Sequence, residues 1–194
     1  MITPTIDLLF PKPVYRVHDV LVEQLDIFSA NINSILNNVD SKRTGSLNVN
    51  SSHGVVDQLH TIPEFKILAD TCMDFAKDFM SRMVYDQYII DNCKYHKMWA
   101  NISNQNDFLF PHIHGTCVIA GVYYISAPPG AMLTMHDDLK SIKHESKQYN
   151  QMTYEEYSYN CIPGTVLLFK NDMLHSNKAQ PFGEKIAISF NIGL

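Results

Sequence analysis

The second half of the chain alternates short apolar segments with turn signals, a pattern typical of strands in a β-sandwich or barrel. The residues from Val118 to Ile125 are apolar throughout, which predicts a central strand buried on both faces. Turn signals stand at Pro128-Pro129-Gly130, Pro163-Gly164 and Pro181-Phe182-Gly183. The predicted strands are YHKMWANIS (95–103), CVIAGVYYIS (117–126), AMLTM (131–135), YSYNCI (157–162), TVLLFK (165–170) and EKIAISFNIG (184–193).

The first half contains two stretches of helical periodicity. From Asp19 to Leu36, apolar residues recur at the spacing of one helix face, which predicts an amphipathic helix. A second helix is predicted to start at Thr61 as its cap, with Pro63 in the first turn and Glu64 completing a capping box. Residues 6–16 alternate in polarity but contain two prolines, which favours an edge strand.

These segments together predict a mainly β fold: a double-stranded β-helix, or jelly roll, packed against N-terminal α-helices. We expect one domain over residues 1–194, with residues 1–85 as mostly helical support and residues 86–194 as the β core. The polar segments 38–54 and 136–160 are expected to be loops. The second is long enough for a lid or a recognition element.

Composition and charge argue against several classes of protein. The net charge of -5 does not suit a surface that coats nucleic acid. No segment approaches the ~18 apolar residues of a membrane span. The N-terminal residues MITPTIDLLFPKPVYRVHDV lack a basic segment followed by an apolar one, so we do not expect secretion through a standard signal. Four scattered cysteines without CxxC spacing favour reduced, mostly buried thiols and a cytoplasmic location.

Histidines supply the first candidate chemistry. His112 and His114 form an HxH motif, and residues two apart in an extended strand point to the same side. His175 follows a Pro163-Gly164 turn and an apolar strand, which would return its imidazole to the mouth of a barrel. Imidazole is a common ligand of Fe, Zn and Cu. Each motif by itself is also consistent with surface or structural histidines.

The last predicted strand has two different faces. Its apolar face carries Ile186, Ile188, Phe190 and Ile192, and its other face carries Lys185, Ala187, Ser189 and Asn191. The polar face either meets solvent or lines a pocket inside the barrel. In a pocket, Lys185 would present a cation to an anionic ligand, with the hydroxyl donor Ser189 beside it.

The combination of these motifs resembles the Fe(II)- and 2-oxoglutarate-dependent oxygenases. In that superfamily the distal histidine ligand is followed, at a similar spacing to that between His175 and Lys185, by an Arg or Lys that binds the 2-oxoglutarate carboxylate. The prolyl 4-hydroxylase branch uses Lys there. The closer resemblance is to a family of 2-oxoglutarate/Fe(II) oxygenases common in bacteria and tailed bacteriophages. The matching segments are PHIHGTCVIAGVYYI, PGTVLLFKNDMLH, KIAISFNIG, LFPKPVYRV and MWANIS.

This resemblance implies a dioxygenase that uses Fe(II), 2-oxoglutarate and O2 and hydroxylates a prime substrate, with a protein side chain favoured by analogy. It implies that Lys185 and Ser189 bind the C5 carboxylate of 2-oxoglutarate. Tyr123, Tyr124 and Asn101 are further candidate cofactor-binding residues, with core packing as the alternative for the tyrosines. A homodimer through the helical face stays open. So do a cupin-like metal-binding jelly roll without 2-oxoglutarate and a non-catalytic binding or virion-associated protein.

The metal ligands leave one question open, because most enzymes of that superfamily use two histidines and one carboxylate. Here His114 stands where the carboxylate is expected. One alternative is a site of His112, His114 and His175. In another, His112 and His175 bind the metal, and His114 contacts these ligands or 2-oxoglutarate without binding the metal itself. In the third, the carboxylate comes from Asp137 or Asp138.

Overall fold

The computed structural model describes residue 5 and residues 11–38, 49–137, 148–150 and 152–194. Within these residues, antiparallel strands form a larger sheet of order β1-β8-β5-β10-β3-β2 and a smaller sheet of order β4-β9-β6-β7. A jelly-roll fold is therefore confirmed. The strands are β1 Val14–Val17, β2 Asn50–Ser51, β3 Lys94–Ser103, β4 Leu109–His112, β5 Ile119–Ser126, β6 Met132–His136, β7 Glu156–Asn160, β8 Val166–Lys170, β9 His175–Asn177 and β10 Lys185–Gly193.

Helices cover the outer face of the larger sheet, as predicted. They are α1 Leu25–Asn37, α2 Lys66–Arg82 and α3 Gln87–Asn92, with short 3-10 helices at Val22–Gln24, Leu59–Thr61 and Pro63–Phe65. Phe28, Leu68 and Phe79 on the helices share one buried apolar cluster with Ile188 and Phe190 of β10. No helix among the described residues is long and apolar enough to cross a membrane.

The helix boundaries differ from the prediction for identifiable reasons. Asp19 and Leu21 have left-handed backbones (φ 58 and 47), so α1 starts only after them. The predicted capping box at Thr61 is wrong, because the Thr61 hydroxyl donates to the carbonyl of Gln58 and no side chain caps the next turn. The short helix α3 was not predicted, although Asp86 caps it by accepting from the N–H of Tyr88.

The predicted first and last strands of the chain both form, and both lie in the larger sheet. The strand β1 is an edge strand, as the prolines suggested, and residues 6–10 of that prediction lie outside the described residues. The strand β10 lies between β3 and β5. Its alternating residues separate two environments: Ile186, Ile188, Phe190 and Ile192 face the helices, whereas Lys185, Ala187 and Ser189 line a cavity between the sheets.

Close packing around β10 also explains a glycine in β5. A Cβ atom on Gly121 would lie 2.3 Å from the ring of Phe190 and 2.7 Å from the side chain of Leu168. Gly121 therefore lets the Phe190 ring rest directly on the β5 backbone. The two predicted loops are only partly described: β2 lies at the end of the first and β7 at the end of the second.

Candidate metal centre

A cavity lies between the two sheets, and all three candidate histidines line it. Its walls are mostly uncharged. The lining residues used below are Trp99, Asn101, His112, His114, Tyr124, His175, Asn177, Lys185 and Ser189.

The three imidazoles meet at one end of this cavity. His112 ends β4 and is the strand partner of His175, which begins β9, and His114 lies two residues beyond β4. One ring nitrogen from each histidine lies within 4.8 Å of the other two. The Nε2 atoms of His114 and His175 are 3.3 Å apart. The structure therefore brings the predicted ligands close enough together to share one metal ion.

Backbone carbonyls fix which nitrogen faces the centre. The Nδ1–H of His112 donates to the carbonyl of Phe110 at 2.9 Å, and the Nδ1–H of His175 donates to the carbonyl of Met173 at 2.8 Å. Both rings consequently present the Nε2 lone pair inward. Burial, with smaller effects of the neighbouring histidines, lowers the pKa of His175 to about 3. At neutral pH this imidazole is in the neutral form that binds metal.

A carboxylate ligand is not found in this cluster. Among the described residues, the group of His, Cys, Asp and Glu side chains that could hold a metal consists of the three histidines. Asp137 is exposed and does not line the cavity, so the structure argues against it as a ligand. Asp138 lies outside the described residues.

Lys185 lines the same cavity as the histidines. Its Nζ donates to Oδ1 of Asn177 at 3.2 Å, and Asn177 is two residues along β9 from His175. Two residues of a strand span about 6.7 Å, a distance comparable to the length of a five-carbon diacid. The side chain is 4% exposed, and burial lowers the pKa of Lys185 despite smaller opposing effects of Cys161 and Asp107. An anion bound beside Lys185 would therefore stabilise its desolvated ammonium.

The predicted role of Tyr123 in cofactor binding is corrected by the structure. Tyr123 points away from the cavity into the helix-side core, and its hydroxyl donates to the carbonyl of Val20 at 2.7 Å. Its neighbour Tyr124 lines the cavity instead. The Tyr124 hydroxyl is buried and has no hydrogen-bond partner in the described part of the chain. The nearby Cys161 thiol could be only a weak one. Burial raises the pKa of Tyr124 well above 10.0, so this hydroxyl is a donor.

Asn101 and Ser189 do line the cavity, but Ser189 is not beside the ammonium. Ser189 is four residue steps along β10 from Lys185, which corresponds to about 13 Å along a strand. The two residues therefore are not direct neighbours on this face of the strand. Ser189 accepts a hydrogen bond from the amide of Asn101 at 3.1 Å. This geometry does not favour a role for Ser189 beside Lys185 at the carboxylate, which stays a prediction.

Residues 97–191, from β3 to β10, match the sequence model of a family described as "Putative 2OG-Fe(II) oxygenase". The matched region, which is the β core of the chain, belongs to this family of 2-oxoglutarate- and Fe(II)-dependent oxygenases. Fe(II) and 2-oxoglutarate are the cofactors of the family. A comparison with curated proteins finds no match.

Solved structures support the fold of this oxygenase at low sequence identity. The viral collagen prolyl hydroxylase of Paramecium bursaria Chlorella virus-1 is 12% identical, with a TM-score of 0.61 over 93% of this chain and 95% of that one. A prolyl-4-hydroxylase of Pseudomonas putida is 9% identical, with a TM-score of 0.61 over 92% and 91%. HygX of Streptomyces hygroscopicus, crystallised with nickel and 2-oxoglutarate, is 12% identical, with a TM-score of 0.61 over 94% and 83%.

The side chains of this oxygenase fit both cofactors. Three ring nitrogens that lie within 4.8 Å of one another suit a divalent metal, because imidazole is a common metal ligand and one ion can bind all three. The buried ammonium of Lys185 and the buried hydroxyl of Tyr124, which both interact with Cys161, suit one carboxylate. Asn177 was missed by sequence reasoning, although its position two residues after His175 in a strand places it on the same face.

Proposed function

We propose that this oxygenase hydroxylates a protein side chain, with Fe(II) held by His112, His114 and His175 and the C5 carboxylate of 2-oxoglutarate held by Lys185 and Tyr124. One observation carries the proposal. Three imidazoles converge in the cavity, and the buried ammonium of Lys185 bonds to Asn177, two residues along β9 from His175. When bound, iron and 2-oxoglutarate supply O2 activation, with release of succinate and CO2.

The residues of the chain have positioning tasks in this scheme. The carbonyls of Phe110 and Met173 orient the imidazoles, and Asn177 orients the ammonium of Lys185. Apolar walls such as Phe169, whose ring centroid is 4.7 Å from that of His175, exclude water from the centre. A protein substrate is supported by two of the structural neighbours, which are prolyl hydroxylases. Four unpaired cysteines support a cytoplasmic location.

The metal site is tested by His175→Ala, which we expect to abolish Fe(II) binding in metal analysis after anaerobic reconstitution. His136→Ala is the matched control, because His136 bonds Ser176 and lies outside the cluster. Full retention of iron in His175→Ala would refute the site. His114→Ala tests the third histidine: loss of Fe(II) binding as complete as that of His175→Ala supports a three-histidine centre, whereas a loss of only about 10- to 100-fold fits a histidine that contacts a ligand without binding the metal.

A second candidate function is a cupin-like metal site without 2-oxoglutarate chemistry, which the absence of a carboxylate ligand among the described residues favours. Anaerobic titration of 2-oxoglutarate into the Fe(II) protein distinguishes the two. We expect saturable binding with a visible charge-transfer absorption. A metal-loaded protein that shows neither would exclude the oxygenase function and leave the metal site in place.

A further inference from the structure

A chain of hydrogen bonds crosses three neighbouring strands on the cavity side of the larger sheet. The hydroxyl of Ser51 on β2 lies 2.7 Å from Oδ1 of Asn101 on β3. The Nδ2 of Asn101 lies 3.1 Å from Oγ of Ser189 on β10. Ser51 is buried, and Asn101 and Ser189 line the cavity. We call these three residues the polar relay.

The donors of the polar relay all point the same way. Ser51 accepts from the backbone N–H of His53 at 3.2 Å and donates to Asn101, since its other acceptor, the carbonyl of Ala100, is 3.4 Å away. The Asn101 amide thus accepts from Ser51 and donates to Ser189. The Ser189 proton has no acceptor among the described residues, so the relay ends in a hydroxyl donor at the cavity. Donors aligned in this way strengthen one another.

The end of the relay lies farther along β10 than Lys185, beside Trp99, whose ring is near that of His114. Lys185 is at the level of Asn177, one two-residue step below His175. Ser189 is about 13 Å from Lys185 along β10. Its strand partner Trp99 has its ring centroid 6.4 Å from that of His114. A 2-oxoglutarate that spans Lys185 and the metal therefore leaves Ser189 facing the space that the prime substrate would enter.

The chemistry of this space favours a neutral acceptor. The Trp99 side chain is 3% exposed, and its indole N–H has no hydrogen-bond partner among the described residues. The cation farther along the same strand, Lys97, is already paired with Asp57 at 3.0 Å. Neutral donors without a free cation match a carbonyl oxygen better than a carboxylate.

We propose that the polar relay and the indole N–H of Trp99 form a subsite for an amide carbonyl of the prime substrate. The proposal rests on the proposed function, because it takes the three histidines as the metal centre. It makes Ser189 and Trp99 substrate-binding residues and Ser51 a positioning residue that acts through Asn101.

The test uses the full-length protein loaded with Zn(II) and 2-oxoglutarate, and N-acetylglycine N-methylamide as a neutral amide probe. Trp99 is the single tryptophan, so its indole N–H resonance in a 15N spectrum reports on the subsite directly. We expect this resonance to shift with saturation. Ser189→Ala should weaken the probe about 10-fold and Ser51→Ala a few-fold, as expected for loss of one direct and one indirect hydrogen bond.

Control variants distinguish loss of the amide subsite from a disturbed fold and from loss of 2-oxoglutarate binding. Ser189→Thr keeps a hydroxyl and should keep probe affinity. Ser158→Ala, which removes a hydroxyl bonded to Thr134 on the other face of the smaller sheet, should change nothing. The affinity for 2-oxoglutarate should stay within twofold in Ser51→Ala and Ser189→Ala.

Three results would overturn the proposal. They are no indole shift with the amide probe, tighter binding of acetate than of the amide, or an equal loss of 2-oxoglutarate affinity in Ser189→Ala. The last result would assign the relay to the co-substrate. Failure of the proposed function looks different, because wild-type protein would then not bind 2-oxoglutarate while the metal-free protein would still report on the amide probe.

Discussion

Replacing Lys185 by Met should weaken 2-oxoglutarate binding and stabilise the cofactor-free protein at the same time. Met fills a similar volume without the charge. Among the described residues, Lys185 makes one hydrogen bond, to Asn177, and it is 4% exposed. Removing such a desolvated charge removes a cost of folding, so stability should rise by roughly 1–4 kcal/mol.

The loss in affinity follows from the bond to the C5 carboxylate. A hydrogen bond to a charged group contributes about 1.5–3 kcal/mol, and each 1.4 kcal/mol is a factor of about 10 in affinity. Lys185→Met should therefore raise the Kd of 2-oxoglutarate roughly 10- to 150-fold. Lys185→Arg keeps the charge and should recover part of this loss, because the wider guanidinium fits the site less well.

Anaerobic titration of the Fe(II) protein measures the first effect, and urea unfolding of the metal-free protein measures the second. Burial lowers the Lys185 pKa below 10.5, so the folded chain releases this proton before the unfolded chain does. Wild-type stability should therefore approach that of Lys185→Met as the pH rises toward 10.5. An unchanged Kd, or a less stable metal-free Lys185→Met protein, would refute the reasoning.

The other predictions concern the core and the tyrosine pair. Tyr124→Phe should weaken 2-oxoglutarate binding about 10-fold with little change in the free energy of unfolding. Tyr123→Phe should instead cost about 1 kcal/mol of stability and leave the affinity for 2-oxoglutarate intact. The reverse pattern would contradict the assignment of the two tyrosines to opposite faces of β5. Gly121→Ala should cost about 1–3 kcal/mol in urea unfolding, because its Cβ meets the Phe190 ring; an unchanged midpoint would show that the ring moves freely. The pKa of His175 is lowered to about 3, so metal-free protein should lose roughly 1 kcal/mol per pH unit below about 6; the same loss in His175→Leu would exclude this cause.

The sequence predicted the faces of β10 because each face has a different chemical environment. Ile188 packs under the helices and Lys185 meets a polar cavity, so the alternation is visible in the residue types. The same reasoning failed for β5, where Tyr123 and Tyr124 are both buried and neither face is polar. Only the register, which pairs Ala187 with Tyr124, places Tyr124 in the cavity.

The short strands and turns were also beyond the reach of periodicity. The strand β9 has three residues, His175–Asn177, too few for a repeating pattern, yet it carries one metal ligand and the partner of Lys185. Thr61 has the residue type and spacing of a cap, but its hydroxyl is used within a preceding 3-10 turn. Such competition between local hydrogen bonds is decided by backbone geometry and is not visible in the residue types.

The candidate ligands are divided between the two sheets: His112 and His175 stand on the smaller one and Lys185 stands on the larger one. A diacid held at both ends would connect the two layers in addition to the hydrogen bond between Lys185 and Asn177. Sliding of one sheet over the other would then require its release. Loading the cofactors should accordingly slow amide exchange in β9 and β10 together. Retention of the co-substrate and rigidity of the two-sheet core would then depend on the same contacts.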